Sequence, residues 1–176
     1  MIKTPNEQLT RLNNEQFKQA DKTPLLIILD NIRSHHNVGS VFRTADAFLV
    51  EAIYLCGYTP QPPHRDIQKT ALGATDTVAW KYFATTLEAI EFAKQQGYKV
   101  AAIEQVEPKI ELQNFIPYAK TAVVFGSEVG GVDEEVLKQA DACIEIPQFG
   151  TKHSLNISVC AGVVLWDLFS KLNFRK

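Results

Sequence analysis

The sequence predicts an α/β fold with a mainly parallel sheet flanked by helices. Short continuous apolar runs, such as Leu25-Leu26-Ile27-Ile28-Leu29 and Thr121-Ala122-Val123-Val124-Phe125, have the length and composition of strands buried on both faces. Between such runs, apolar residues recur at helical spacing, so strand and helix alternate along the chain. Gly57, Gly97 and Pro147 punctuate that alternation.

Taken in order, Asn6 to Asp21 is polar, with Leu9, Leu12 and Phe17 loosely at helical spacing. It reads as a short surface helix, so residues 1–22 form an N-terminal extension to a single domain over 23–176. The first strand is Leu25 to Leu29. A helix follows from Asn37, with Val41, Phe42, Ala45 and Phe48 on one face. Ala52 to Cys56 is the second strand, and Tyr58 to Asp66, with Pro60, Pro62 and Pro63, is a loop. Val78 to Phe83 reads as a strand, Thr86 to Gln96 as a helix stopped by Gly97, and Tyr98 to Glu104 as a strand. Thr121 to Phe125 is another buried strand. Glu134 to Ala140 is a short helix behind an Asp133 cap. Cys143 to Ile146 is the last strand, and an apolar helix from Ser154 to Leu172 closes the chain.

A chain of 176 residues, 45% hydrophobic and 22% charged, suits one soluble globular domain. No run reaches the roughly 18–20 apolar residues of a membrane span, and the N-terminal residues lack the apolar centre of a signal peptide. Cys56, Cys143 and Cys160 are an odd number, widely spaced, and each sits in an apolar run. They read as buried reduced thiols in a cytoplasmic protein, with no metal site. The net charge of −2 does not advertise the basic field usual among nucleic-acid proteins. A local patch or a second subunit would have to supply one.

Three clusters could carry chemistry. Gly126-Ser127-Glu128-Val129-Gly130-Gly131 follows a strand but puts Glu128 where a dinucleotide fingerprint needs glycine. No P-loop ending occurs, so this loop does not cradle phosphate. It can still border a ligand at the sheet's carboxyl edge, with Glu128 facing a cationic group or orienting a polar neighbour; a tight turn with a solvated glutamate is the plainer reading. The second cluster, Ile146-Pro147 through His153-Ser154-Leu155-Asn156, leaves a strand and opens a helix, with Ser154 or Asn156 as its cap. Asn156 inside an apolar helix would need partners for a buried amide. His153 reads as a solvated loop residue. The third, Asn31 to Ala45, offers Asn37 as a cap and Arg43 in the second turn. Adjacent histidines rarely converge on one ligand, so His35 and His36 read as facing solvent or RNA.

In this order the clusters resemble the three signature motifs of the SpoU (TrmH-like) branch of the SPOUT methyltransferases. The first is Asn37-Val38-Gly39 with Arg43-Thr44-Ala45, and the second is Val124-Phe125-Gly126-Ser127-Glu128 through Gly131. The third is Ile146-Pro147 with Ser154-Leu155-Asn156-Ile157-Ser158-Val159. The likeness runs from about Leu25 to the end of the closing helix. It implies a deep C-terminal trefoil knot, against the usual rule on threaded connections, a homodimer, and S-adenosylmethionine as cofactor. It implies ribose 2′-O-methylation of tRNA or rRNA. By similarity, Gly126, Ile146, Leu155 and Ser154 line the cofactor pocket, and Glu128 and Asn156 shape the site. Arg43 matches the family's catalytic arginine, with Asn37 holding it or the ribose. The guanidinium stays protonated in proteins, which favours a phosphate clamp and oxyanion stabiliser over a general base. Where many relatives have an acidic-Pro lead-in before the asparagine, this chain has Ser34-His35-His36. Two other readings stand beside this one: base methylation, and a catalytically silent RNA-binding or assembly protein.

Overall fold

The computed structural model describes residues 1, 3–5 and 11–174. A helix α1 (Asn14–Gln19), capped by the Asn13 side chain, precedes the domain. The expected surface helix is thus shorter than the polar stretch, and its Asn6–Thr10 part lies outside the described residues.

Seven parallel strands build the sheet: β1 (Thr23–Asp30), β2 (Val50–Cys56), β3 (Ala79–Phe83), β4 (Lys99–Ile103), β5 (Ile110–Glu111), β6 (Thr121–Phe125) and β7 (Ala142–Glu145). Their order is β3-β2-β1-β6-β4-β7-β5, and every pairing is parallel. The α/β class and parallel sheet are therefore as the apolar runs predict. Side chains alternate between faces along each strand. Leu25, Ile27 and Leu29 of β1 join Ile53, Leu55, Val123 and Phe125 in one core. Leu26 and Ile28 join Tyr54, Cys56, Ala122 and Val124 in the other.

The first core packs under α2 (His35–Ala47) and α7 (Ile157–Asn173), the second under α5 (Thr86–Gln95) and α6 (Glu134–Leu137). On α2, Val38, Val41, Phe42 and Ala45 are fully buried. Phe42 alone contributes about 1.5–3 kcal/mol by leaving water, which fixes the face that α2 turns outward. Two helices unforeseen in the sequence, α3 (Arg65–Ala71) and α4 (Ala74–Thr77), follow the proline loop. The loop therefore ends at His64, which caps α3, and Asp66 is already helical. Strand β5 was also unforeseen; two residues show no period.

The closing helix begins at Ile157, three residues later than expected. It buries Ile157, Ala161, Val164, Leu165 and Leu168 but leaves Val159, Val163 and Trp166 exposed at 54%, 41% and 52%. Those three recur at i, i+4 and i+7 and form one apolar stripe on the surface of a single chain. Of the cysteines only Cys56 is buried; Cys143 and Cys160 are half-buried, which corrects the expectation of three buried thiols. Burial pushes the Cys56 thiol up to about 12 and that of Cys160 up to about 11, the Glu104 carboxylate adding to the latter. No helix among the described residues is long and apolar enough to cross a membrane, and those residues hold no cluster that could bind a metal ion.

Candidate active site

Beyond the carboxyl ends of β4, β6 and β7 lies a cavity of about 390 Å³. Parallel strands all release their chains at this edge, which is where open α/β sheets place ligands. Its apolar wall comes from Ile103, Phe125, Ile144, Ile146, Leu155 and Ile157. Gly126, Ser154, Glu128 and Asn156 also line it, so the residues expected to hold a cofactor converge on one space.

The loop after β6 closes on itself. Ser127 and Gly131 exchange backbone hydrogen bonds of 3.0 and 2.9 Å, and the Ser127 hydroxyl accepts the Gly130 N–H at 3.0 Å. A Cβ on Gly126 would stand 2.1 Å from the Gly131 carbonyl carbon. Glycine is needed at 126 because the loop folds back over it, not only because a ligand comes near.

Glu128 is exposed at the rim and accepts a 2.7 Å hydrogen bond from the Asn37 amide. The Asn156 amide donates to Asn37 Oδ1 at 3.3 Å. One asparagine on α2 thus bridges two segments 91 and 119 residues away in sequence. Asn37 departs from the expected cap role, while Asn156 takes the cap reading rather than the buried one. Ser34, not Asn37, caps α2 by accepting the Asn37 N–H at 3.2 Å, which frees the Asn37 side chain for the bridge. Asn156 is no buried amide; it is the exposed cap of α7, accepting from Ser158 N–H at 3.0 Å. Ser154, the other candidate cap, lies outside the helix on the cavity wall.

Arg43 is not brought to the cavity. It stands exposed on α2, and among the described residues its guanidinium makes no hydrogen bond or ion pair. Its six-residue offset from Asn37 is about 9 Å along a helix. His153 is exposed; its carbonyl, not its ring, is used, accepting from the Gln105 side chain at 2.7 Å.

Glu104 was missed in the sequence. It follows β4 directly, lines the cavity, and accepts two backbone N–H groups, from Val132 at 2.9 Å and Gln105 at 2.8 Å. It therefore props the loop after β6. A carboxylate just past the end of a parallel strand was the available signal. Glu145 also lines the cavity but is neutralised by Lys109 at 2.5 Å. Among the described residues neither Glu104 nor Glu128 meets a cation. An apolar wall with two unneutralised carboxylates suits a ligand that joins a flat apolar group to positive charge. It disfavours a pyrophosphate.

The family described as the SpoU rRNA Methylase family matches residues 24–166. A tRNA (guanosine(18)-2′-O)-methyltransferase of Thermus thermophilus is 33% identical over 154 residues, 87% of this chain and 78% of that protein. The crystal structure described as the A. aeolicus TrmH/SpoU tRNA modifying enzyme is 25% identical, with a TM-score of 0.78 over 90% of this chain and 79% of that one. An AdoMet-bound rRNA methyltransferase from Sinorhizobium meliloti, 24% identical, shares the fold with a TM-score of 0.78 over 86% of this chain and 59% of that one.

Proposed function

The chain belongs to the SpoU rRNA methylase family, and on that premise we propose that it transfers the methyl group of S-adenosylmethionine to a ribose 2′-OH of tRNA. The observation that carries this reading is the Glu128–Asn37–Asn156 bridge across the cavity, which joins all three motifs at one place. The cavity fits the cofactor: its volume lies within the roughly 300–1,000 Å³ of small-molecule sites. Its apolar residues suit an adenine, and Glu104 and Glu128, which meet no cation among the described residues, suit a sulfonium and an ammonium.

When bound, S-adenosylmethionine supplies an electrophilic methyl on a positively charged sulfur. Gly126, Ile146, Leu155 and Ser154 hold it, the first through backbone placement and the others as wall. Asn37 and Asn156 lock the rim so that the ribose oxygen meets a fixed target, and positioning of this kind supplies much of the acceleration. Arg43 stands clear of the cavity, and its guanidinium has no partner among the described residues, which suits a clamp on the RNA phosphate and stabilisation of the developing oxyanion.

The working form in this reading is a homodimer in the cytoplasm. The exposed Val159, Val163 and Trp166 stripe supports it, since a second copy of the same helix would cover it. The C-terminal half in this reading is threaded as a trefoil knot. In support, the sheet order is not sequential here: β6 lies between β1 and β4, and β7 returns between β4 and β5.

Arg43→Ala tests the assignment. Methyl transfer to tRNA should fall at least about a hundredfold, as for loss of an oxyanion donor, while S-adenosylmethionine binding by calorimetry stays within twofold or so. A variant with full transfer activity would remove Arg43 from the reaction.

A further inference from the structure

A second cluster, of exposed side chains around the half-buried His35, stands at the start of α2, outside the cavity. The His35 and His64 rings stack with centroids 3.9 Å apart, tilted by 35°. The Arg33 guanidinium lies over the Tyr58 ring, 5.9 Å from its centroid. Arg33, Tyr58 and His64 are exposed, as are the neighbouring His36 and Arg65.

The cluster is built, not incidental. Tyr58 N–H donates to Asn31 Oδ1 at 3.2 Å, Ile32 N–H donates to Thr59 Oγ1 at 3.0 Å, and the Thr59 hydroxyl donates to Leu29 O at 3.1 Å. These bonds lace the segment after β1 to the loop after β2. Gly39 lets α2 and α3 approach closely: a Cβ there would stand 2.1 Å from Thr70 Oγ1 and 2.3 Å from Ile67 O. Thr70 in turn donates to His36 O at 3.0 Å. That close crossing is what brings His35 on α2 against His64 at the head of α3. Nδ1 of His64 accepts the Asp66 N–H at 3.2 Å, which leaves its Nε2 as the donor.

Arg33, His35, Tyr58 and His64 belong to neither core, and an exposed ring backed by a cation is the form proteins use to stack bases. We propose that Arg33, His35, Tyr58 and His64 form a platform on which an unpaired base of the substrate RNA stacks, with Arg33 and Arg65 meeting the adjoining phosphates. In a chain of net charge −2, this is a local concentration of positive and aromatic groups beside Asn37, two residues beyond His35. It rests on the reading of the chain as an RNA ribose methyltransferase and names where the RNA strand enters. An ordered platform costs little entropy on binding.

The test compares wild type with Tyr58→Ala, Tyr58→Phe and Arg33→Gln. Filter binding would use bulk tRNA and a short oligoadenylate, and calorimetry with S-adenosylmethionine checks each fold. Tyr58→Ala should weaken both RNAs about tenfold, the scale of one lost base stack. Tyr58→Phe should bind like wild type, because the ring and not the hydroxyl is used. Arg33→Gln should lower the dependence of log affinity on log salt by about one unit. Tyr58→Ala and Arg33→Gln proteins that bind both RNAs as wild type does would overturn the platform, even if wild type methylates tRNA. A wild type that binds RNA through Tyr58 yet transfers no methyl would keep the platform and sink the enzymatic reading instead.

Discussion

Replacing Glu104 with glutamine removes one charge from the cavity wall while keeping the length and shape of the side chain. Two effects follow, and they can be separated. Its two oxygens accept Val132 N–H at 2.9 Å and Gln105 N–H at 2.8 Å. The amide keeps one acceptor and turns a donor towards the other N–H, so the folded state loses about 1–3 kcal/mol. At about 2–4 °C per kcal/mol for a chain of this size, melting falls by several degrees. The electrostatic effect acts only on a cationic ligand. At an effective dielectric of about 20, unit charges interact by about 4 kcal/mol at roughly 4 Å and by about half that at twice the distance. Glu104 is only half-buried, and solvent screening reduces this to about 1 kcal/mol, roughly fivefold in affinity. S-adenosylmethionine carries the sulfonium charge and S-adenosylhomocysteine does not. Calorimetry with both ligands should therefore show Glu104→Gln losing roughly fivefold more affinity for the first than for the second. Equal losses would refute the charge argument and leave Glu104 as a prop of the loop alone.

Trp166→Glu places a charge in the exposed stripe of α7, so sedimentation at micromolar protein should shift from dimer to monomer with melting of the chain little changed; a wild-type monomer would contradict the dimer. Asp141 binds Lys99 at 2.9 Å and the Val100 N–H at 2.8 Å, joining the start of β7 to β4. Partial burial raises its carboxyl, but the Lys99 and Val100 hydrogen bonds outweigh this and hold it below the usual value. Its stabilisation is thus present above the unfolded carboxylate range and lost as pH falls through the depressed folded value. Asp141→Asn should lower stability at neutral pH and flatten the acid limb of the melting-against-pH curve; an unchanged acid limb would count against it.

Much of the fold was legible because buried parallel strands leave continuous apolar runs. β1 and β6 lie at the centre with both faces covered, and their runs have few rivals among alternative readings. The helices α3 and α4 were not legible, because their 65–77 stretch is polar and only Ile67, Ala71, Ala74 and Thr75 reach the interior. Caps were ambiguous for a different reason. Ser34 and Asn37, or Ser154 and Asn156, are both competent caps, and only the three-dimensional packing decides which backbone N–H each one meets. The pocket lining from Gly126, Ile146, Ser154 and Leu155 was foreseeable through the motifs. Glu104 left only its place at a strand's end as a signal, and a glutamate there reads as solvated until the loop it props is seen. The stack of His35 on His64 depends on the close crossing at Gly39, a contact between segments that no local pattern records.

The most direct measurement is to incubate the protein with S-adenosylmethionine labelled in its methyl group and with tRNA lacking the modification, then digest the RNA to nucleosides. Ribose methylation at a fixed site puts the label in one 2′-O-methylated nucleoside at a single position in the tRNA. Label in a methylated base, or none at all from protein that binds the cofactor, would contradict it.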